Sequence, residues 1–131
     1  MAAAESYPED LKYNEEHDWA RIEAGEAVLG ITWFAADSLG ELVHFEPPLV
    51  GSTVAKGGSY GEVESVKAVS DLIAPLSGEV LEVNAAVVDA PETVNEDPYG
   101  GGWLIRIRLS DAGEADSLLE VEAYKQVLAD S

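Results

Sequence analysis

Cysteine is absent from this chain of 131 residues. The protein itself therefore supplies no disulfide, no thiol nucleophile and no cysteine metal ligand, which agrees with an intracellular setting. Sulfur redox chemistry would require an attached group. A chain of this length can still bury a sizeable core without such cross-links, so we expect residues 1–131 to form one domain.

Basic residues are scarce, with 7 Lys plus Arg against 26 Asp plus Glu and a formal net charge of −19. Nucleic acids and anionic membranes are bound through cationic side chains, so neither is an expected partner. No uncharged apolar run approaches the ~20 residues of a membrane span, and the first residues lack a basic leader followed by an apolar core. We expect a non-membrane protein with a solvated acidic surface or with basic docking partners.

Catalytic signatures are also missing. The sequence contains no Gly-x-Ser-x-Gly, no phosphate loop and no dinucleotide fingerprint. His17 is flanked by Glu16 and Asp18, but this spacing matches no known metal motif, so we expect no metal site. His44 reads as a polar residue in a strand. A carboxylate-dependent hydrolase remains an alternative, because abundant acids make any single carboxylate pair uninformative.

The first half of the chain alternates short β-type segments with turn residues. "WARIEAGEAVLGIT" predicts a hairpin that turns at Gly25. A short helix is predicted next, with Thr32 as its N-cap and Gly40 at its end. "ELVHFEP" predicts a strand that stops at Pro47, because proline cannot donate to a β-ladder.

Further short segments separated by Gly, Ser, Asn and Pro are typical of an all-β sandwich or barrel. In "WLIRIRL" the alternation places Arg106 and Arg108 on one face and leaves the other for the core. From Ser110 onward the pattern becomes helical, in one piece or two, and Ser117 with Glu120 matches a capping box. The helical spacing predicts an apolar stripe packed on the sheets, formed by Val121, Tyr124, Val127 and Leu128.

One lysine stands between two strand-like runs. Lys67 lies in "SVKA", so a tight turn would present its amine at the tip of a hairpin. Gly51 and Gly78 lie in turn contexts on either side, where glycine permits unusual backbone conformations. A lysine in a turn is most often a solvated surface charge, and the spacing alone does not distinguish that interpretation from a modification site.

The stretch "GEVESVKAVSDLIAPLSGEVLEVN" resembles the lipoyl-attachment region of the glycine cleavage system H-protein family. Other blocks that resemble the family follow in its order, and the resemblance runs from about residue 11 to about residue 128. These blocks are "KYNEEHDWARIE", "GITWFAADSLGELVHFEPPLVGSTV", "VNEDPYGGGWLIRIRLSD" and "DSLLEVEAY".

The resemblance implies a mainly β fold: a barrel-sandwich hybrid, lipoyl/biotinyl-like, of two antiparallel sheets with short helices and a C-terminal helical segment over residues 110–131. It implies a monomeric, non-catalytic carrier with lipoate in amide linkage on Lys67. A lipoate-attaching enzyme would modify it. It would carry the aminomethyl group of glycine from the pyridoxal-phosphate glycine decarboxylase to the tetrahydrofolate-dependent aminomethyltransferase, and electrons to dihydrolipoamide dehydrogenase.

The resemblance also implies roles for five further residues. Asp18, where the family more often has Glu, and Asp71 match positions near the cargo amine in a cleft that shelters the arm; the bland alternative is a surface acid. Glu64, Ser65 and Ala68 match positions read by the lipoate-attaching enzyme, and the alternative is turn formation alone.

One residue departs from the family pattern, and one loop carries a structural expectation. Trp33 stands where the family commonly has aspartate, so it either alters arm docking or a partner surface, or packs against the short helix. "NEDPYGGGW" reads as an ordered loop in which Asn95 and Asp97 make turn hydrogen bonds.

Other functions stay open from the sequence alone. An H-like lipoyl protein could relay lipoate to other enzymes, and an unmodified acidic interaction domain would leave Lys67 as an ordinary surface residue. The expected location is the bacterial cytoplasm, or the mitochondrial matrix for a processed eukaryotic form.

Overall fold

Two antiparallel sheets share one core. The computed structural model describes residues 2–130. Six strands form the larger sheet, in the order β1-β2-β3-β9-β8-β5, and three form the smaller sheet, in the order β4-β6-β7. The strands are β1 Lys12–Tyr13, β2 Asp18–Glu23, β3 Glu26–Ile31, β4 Leu42–Glu46, β5 Thr53–Val54, β6 Ser59–Ser65, β7 Val69–Ile73, β8 Gly78–Val83 and β9 Ile105–Leu109.

Helices connect and cover the sheets. They are α1 Trp33–Leu39, α2 Ala85–Asp89, α3 Thr93–Glu96, the 3-10 helix Ala112–Ser117 and α4 Val121–Asp130. The mainly β sandwich with short helices and a helical C-terminus confirms the predicted fold class. No helix within residues 2–130 is long and apolar enough to cross a membrane.

The larger sheet is buried on both faces near β1 and β2, because two clusters use alternate residues of its strands there. One cluster joins the two sheets and includes Leu29, Ile107 and Val63. The second includes Trp19 and Tyr124, and lies between the larger sheet, α4 and the loop around Tyr99. This second cluster explains why β2 buries consecutive residues where a sheet with one solvated face would alternate.

The hairpin and first helix follow the sequence prediction. Strands β2 and β3 pair from Asp18 with Ile31 to Glu23 with Glu26 around a turn in which Gly25 has φ +82°. Thr32 caps α1 through its side chain, which accepts a hydrogen bond from the Ala35 N–H. Gly40 ends the helix with φ +86°, a conformation that favours glycine.

The last strand and the C-terminal stripe are also as predicted. Ile105 and Ile107 are fully buried in β9, while Arg106 and Arg108 face outward and pair with acids of neighbouring strands. In α4 Val121 and Tyr124 are buried as predicted, whereas Val127 and Leu128, the other two residues of the predicted stripe, are only half-buried.

The predicted capping box at Ser117 and Glu120 is wrong. Ser117 ends the 3-10 helix, and its hydroxyl donates to the Glu114 carbonyl at 2.7 Å. Between that helix and α4 the chain runs extended, because Leu119 pairs with Tyr13 as an isolated bridge. The bridge separates the two helical pieces, so the hydroxyl caps no helix there.

Gly78 is required for a different reason than the one predicted. It begins β8, and a Cβ at this position would lie 2.3 Å from the Arg108 carbonyl oxygen of β9. Gly51 does occupy a turn with φ +93°. Glycine at 78 therefore serves close strand approach, and glycine at 51 serves backbone conformation.

Candidate functional site

The β6–β7 hairpin holds Lys67 at its tip. The two strands pair up to Glu64 opposite Val69, and the Ser65 N–H donates to the Ala68 carbonyl at 2.7 Å. Val66 and Lys67 are thus the only two residues of the loop. A two-residue loop gives the lysine Cα little freedom, so the origin of its side chain is well defined.

Ser65 stabilises this tip with its side chain. Its Oγ accepts hydrogen bonds from the N–H groups of Lys67 at 3.2 Å and Ala68 at 3.1 Å. Two-residue hairpin loops usually adopt turns with positive φ, but among residues 2–130 only His17 and Ala24 are non-glycine residues with positive φ. The buried serine hydroxyl satisfies the tip amides that this less common turn leaves open.

A second contact anchors the tip to the rest of the molecule. The Val66 N–H donates to the Glu41 carbonyl, between α1 and β4, at 3.3 Å. The turn is therefore fixed by its own strands, by Ser65 and by the segment that follows α1. Rigidity of the backbone at this point contrasts with the freedom of the lysine side chain.

The Lys67 amine is available for chemistry. The Lys67 side chain is exposed, and its amine makes no hydrogen bond or ion pair within the described residues. Lys12 instead pairs with Glu120, and the Lys56 amine donates to the Ser117 hydroxyl. Lys125 is exposed without a side-chain partner in the same part of the chain, but it lies on the outer face of α4.

The surface around the tip is apolar with acids beside it. Val66 is 74% exposed, Val69 is 61% exposed, and Val43 on the neighbouring β4 is 48% exposed. Glu64 and Ala68 are also exposed, whereas Ser65 is buried. Of the three residues predicted for enzyme recognition, two can touch a partner directly and Ser65 can act only through the shape of the turn.

The two predicted cleft acids lie in different environments. Asp71 is exposed in β7, opposite Glu62 of β6. Asp18 is only 2% exposed at the start of β2, where its carboxylate accepts a hydrogen bond from the Asn14 side chain at 3.2 Å. Burial raises the pKa of Asp18 well above its ordinary value, and the nearby Glu16 acts in the same direction.

His17 takes part in the hydrogen bonding and packing of the fold. Its Nδ1 lies 2.8 Å from the Tyr124 hydroxyl, which lies 2.8 Å from the Thr32 hydroxyl. The imidazole also packs against Phe34, with ring centroids 4.6 Å apart. Burial lowers the pKa of His17. No group of three potential metal ligands occurs between residues 2 and 130. His44 is an exposed strand residue beside Glu46, as predicted.

Trp33 packs against the N-terminal segment. Its indole Nε1 donates to the Ala3 carbonyl at 2.7 Å, and its backbone N–H donates to the Tyr99 hydroxyl at 2.8 Å. Trp33 also contacts the second cluster. The sequence carried no signal for residues 2–10, whose ordering depends on these distant partners.

The prediction for the "NEDPYGGGW" loop is half correct. The Asp97 carboxylate accepts hydrogen bonds from Gly100 and Gly101, as expected of a turn. Asn95, however, lies in α3 and bridges to another element: its side chain accepts from the Leu42 N–H and donates to the Gly40 carbonyl, both at 2.9 Å. The role of Asn95 is to hold the segment between α1 and β4.

The similarity to known proteins agrees with this geometry. A family model described as Glycine cleavage H-protein matches residues 11–131. The chain belongs to this family. A Glycine cleavage system H protein of Carboxydothermus hydrogenoformans is 50% identical over 121 residues, which are 92% of this chain and 93% of that protein. One of Anaeromyxobacter sp. (strain K) is 54% identical over 118 residues, 90% and 92% of the two chains.

A solved structure shows the same fold. The crystal structure of a glycine cleavage system H protein from Mycobacterium marinum matches with a TM-score of 0.86 and 44% identity, covering 94% of this chain and 99% of that one. The resemblance to the H-protein family drawn from the sequence blocks is thereby confirmed.

Proposed function

We propose that this H-protein-family chain is the lipoylated, non-catalytic carrier of a glycine cleavage system, modified on Lys67. The observation that supports this most directly is the exposed, unpaired Lys67 amine at the tip of a two-residue loop whose backbone is held by Ser65. An acylating enzyme needs to reach a primary amine without first breaking an ion pair or unfolding a strand, and this lysine fits that requirement.

Lipoate held by Lys67 would supply a dithiolane, a group able to take up the aminomethyl unit of glycine and two electrons. The residues of this chain position that chemistry. Lysine plus acyl arm reaches on the order of 14 Å, which is enough to enter a partner's cleft while the sheet stays outside. The fixed loop keeps the arm's origin constant, so docking raises the local concentration of the reactive end at the partner's active site.

The proposed partners are those implied by the family. They are glycine decarboxylase, aminomethyltransferase, dihydrolipoamide dehydrogenase and a lipoate-attaching enzyme, each acting on one monomer of this chain. The exposed valines and acids around Lys67 provide a contact surface for them. The formal charge of −19 favours partner surfaces that are basic.

Asp71 and Asp18 are proposed to differ in how they act on a cargo amine. A carboxylate close to an ammonium favours the charged, less reactive form. Asp71 is open to solvent and can do this directly. Asp18 is closed off, so contact with the arm requires an opening next to β2. Asp71→Asn should therefore increase ammonia release from glycine when the transferase is omitted, and unchanged release would remove Asp71 from this role.

Peptide-level mass spectrometry tests the proposal. After expression in lipoate-competent cells, we expect one lipoyl increment on the peptide that contains Lys67 and none on those with Lys12, Lys56 or Lys125. The modified protein should then support exchange of labelled bicarbonate with glycine by glycine decarboxylase. Unmodified Lys67 would favour an acidic interaction domain, and modification without exchange would favour an H-like lipoate relay.

A further inference from the structure

The Lys67 tip contacts the short segment of residues 40–42, which joins α1 to β4, in two places. The Val66 N–H donates to the Glu41 carbonyl at 3.3 Å. The Cε atom of Lys67 lies 3.5 Å from the position that a Cβ on Gly40 would occupy. The placement of this segment therefore determines both where the turn is held and the direction in which the lysine stem leaves it.

One side chain holds this segment on both sides of Glu41. The Asn95 side-chain amide, on α3, accepts from the Leu42 N–H and donates to the Gly40 carbonyl, both at 2.9 Å. The Glu41 carbonyl, which receives the Val66 N–H, lies between these two fixed points. Because Leu42 is buried and Gly40 is half-buried, water would replace the two bonds poorly if the amide were removed.

Asn95 is itself held by the N-terminal residues 2–8, which have no regular secondary structure and which we call the strap. The Ala3 N–H donates to the Asn95 carbonyl at 2.9 Å, and the Ala3 carbonyl accepts from the Trp33 Nε1 at 2.7 Å. One strap residue thus joins α3 to α1. A helix of four residues is not stable by itself, so the placement of α3, Thr93–Glu96, depends on such outside contacts.

Two tyrosines fix the rest of the strap. The Tyr99 hydroxyl donates to the Ser6 carbonyl and the Tyr13 hydroxyl donates to the Pro8 carbonyl, both at 2.6 Å. These bonds and those of Ala3 use backbone atoms of the strap, so they define its path across the molecule. A continuous set of hydrogen bonds therefore leads from the strap through α3 and the 40–42 segment to the Lys67 tip.

We infer that Asn95 is a positioning residue for the modification of Lys67, and that the strap holds Asn95 in place. This rests on the proposed function, since the position of the lysine matters to an enzyme that acylates it. Without the Asn95 amide, the 40–42 segment and the tip open together while the sheets stay folded. An enzyme that recognises the closed tip then binds more weakly, in proportion to the fraction of chains that are closed.

Amide hydrogen exchange of the full, unmodified chain tests the link between Asn95 and the tip. In Asn95→Ala the Leu42 N–H loses its partner directly, so Val66 is the informative amide, and its exchange should become about tenfold faster. Exchange at Ile107, fully buried in β9, should stay unchanged because it reports opening of the sheets. Trp33→Phe removes only the bond to the Ala3 carbonyl and should accelerate Val66 by a smaller factor.

Asn84→Ala is the matched control. The Asn84 side chain also bonds two backbone carbonyls, those of Gly101 and Trp103, but it lies at the start of α2. Its loss should accelerate exchange at Val66 no more than at Ile107. If Asn95→Ala also accelerates Val66 no more than Ile107, the inference is overturned; if that variant does not fold, the same comparison in Trp33→Phe decides.

Lipoylation kinetics give the second readout, with a purified lipoate-attaching enzyme and varied concentrations of the chain. The KM for Asn95→Ala should rise about twofold or more at unchanged kcat, whereas Asn84→Ala should keep both values while it is folded. Faster exchange at Val66 with an unchanged KM would remove the positioning role. Absence of lipoylation in the unsubstituted chain would instead count against the proposed function, because the exchange experiment needs no modification.

Discussion

Polar side chains have opposite roles at the Lys67 hairpin tip and in the buried network under α4, which consists of His17, Tyr124 and Thr32. At the tip the backbone is tied by three sets of hydrogen bonds while the lysine amine has no partner among residues 2–130. In the network His17, Tyr124 and Thr32 bond to one another, and their polar atoms are used by the fold.

The contrast separates side chains whose polar atoms are bonded within the fold from side chains that are left exposed to solvent. His17, the obvious candidate for chemistry from residue type alone, contributes to packing and hydrogen bonding. The Lys67 side chain makes no hydrogen bond or ion pair among residues 2–130, so it can be modified without cost to the sheet. The following predictions test that division of roles.

The largest expected effect is loss of modification in Lys67→Arg. Arginine keeps the charge but presents no primary amine, so enzymatic lipoylation should disappear entirely. The free energy of unfolding should change by less than about 0.5 kcal/mol, as for other surface substitutions. Intact-mass measurement and urea unfolding provide the two readouts.

Lys125→Arg is the control for this substitution, because it removes the other exposed lysine that has no side-chain partner in the described chain. It should leave lipoylation complete. Persistent lipoylation of Lys67→Arg would move the attachment site elsewhere, and a large loss of stability would show that the fold does depend on Lys67.

The next prediction concerns the stability of the network and compares substitutions at two buried tyrosines. Tyr124→Phe keeps the stacking on Tyr13 but leaves His17 and Thr32 without their partner, which should cost about 1–3 kcal/mol of unfolding free energy. Tyr60 is also buried, but its hydroxyl has no hydrogen-bond partner among residues 2–130. Tyr60→Phe should therefore be neutral or stabilising.

Urea unfolding of both variants gives the comparison, and lipoylation should stay complete in both because neither lies at the tip. Equal losses in the two variants would mean that the hydroxyl partners of Tyr124 contribute no more than an unpaired hydroxyl.

Local signals explain which parts of the fold could be predicted. The hairpin at Gly25, the helix between Thr32 and Gly40 and the alternation around Arg106 all depend on neighbouring residues, and the structure contains each of them. Residues 65–68 also form the predicted turn with Lys67 at its tip. Such features are set by short-range backbone preferences and by period-two burial.

Features that depend on distant partners were missed or misread. Ser117 matched a capping box, but pairing of Leu119 with Tyr13 across more than a hundred residues overrides it. Asn95 looked like a turn residue, yet it bonds to Gly40 and Leu42 on another element. The burial of Asp18 is of the same kind, because Asp18 shares a face of β2 with Ala20, which packs in the cluster that joins the two sheets.

The Asp18 pKa gives a smaller, pH-dependent effect. Its pKa in the folded chain is raised by burial, so the folded state holds the proton more tightly than the unfolded state, whose pKa is about 3.9. The resulting stabilisation is complete below that value and is lost as the pH rises through the folded pKa. Each unit of upward shift amounts to about 1.4 kcal/mol.

Asp18→Asn removes the ionisable group and with it the loss of stability that Asp18 causes as the pH rises. The stability of the variant relative to the unsubstituted chain should therefore increase as the pH rises from about 4, measured by urea unfolding in steps to pH 7. Asp71→Asn removes the same charge at an exposed position and is the matched control over the same range. Parallel curves for the two variants would show that burial of Asp18 does not affect its titration.

The smallest expected effect lies at the tip itself. Ser65→Ala removes the acceptor for the N–H groups of Lys67 and Ala68, which should cost about 0.5–1.5 kcal/mol. Amide hydrogen exchange at these two positions should become faster, because the tip then opens without global unfolding. Ser70→Ala is the control, since among residues 2–130 the Ser70 hydroxyl donates to the Asp71 carbonyl alone, at 3.3 Å. If exchange at Lys67 is as slow in Ser65→Ala as in Ser70→Ala, the strands alone hold the tip, and the buried hydroxyl is not what keeps the arm's origin in place.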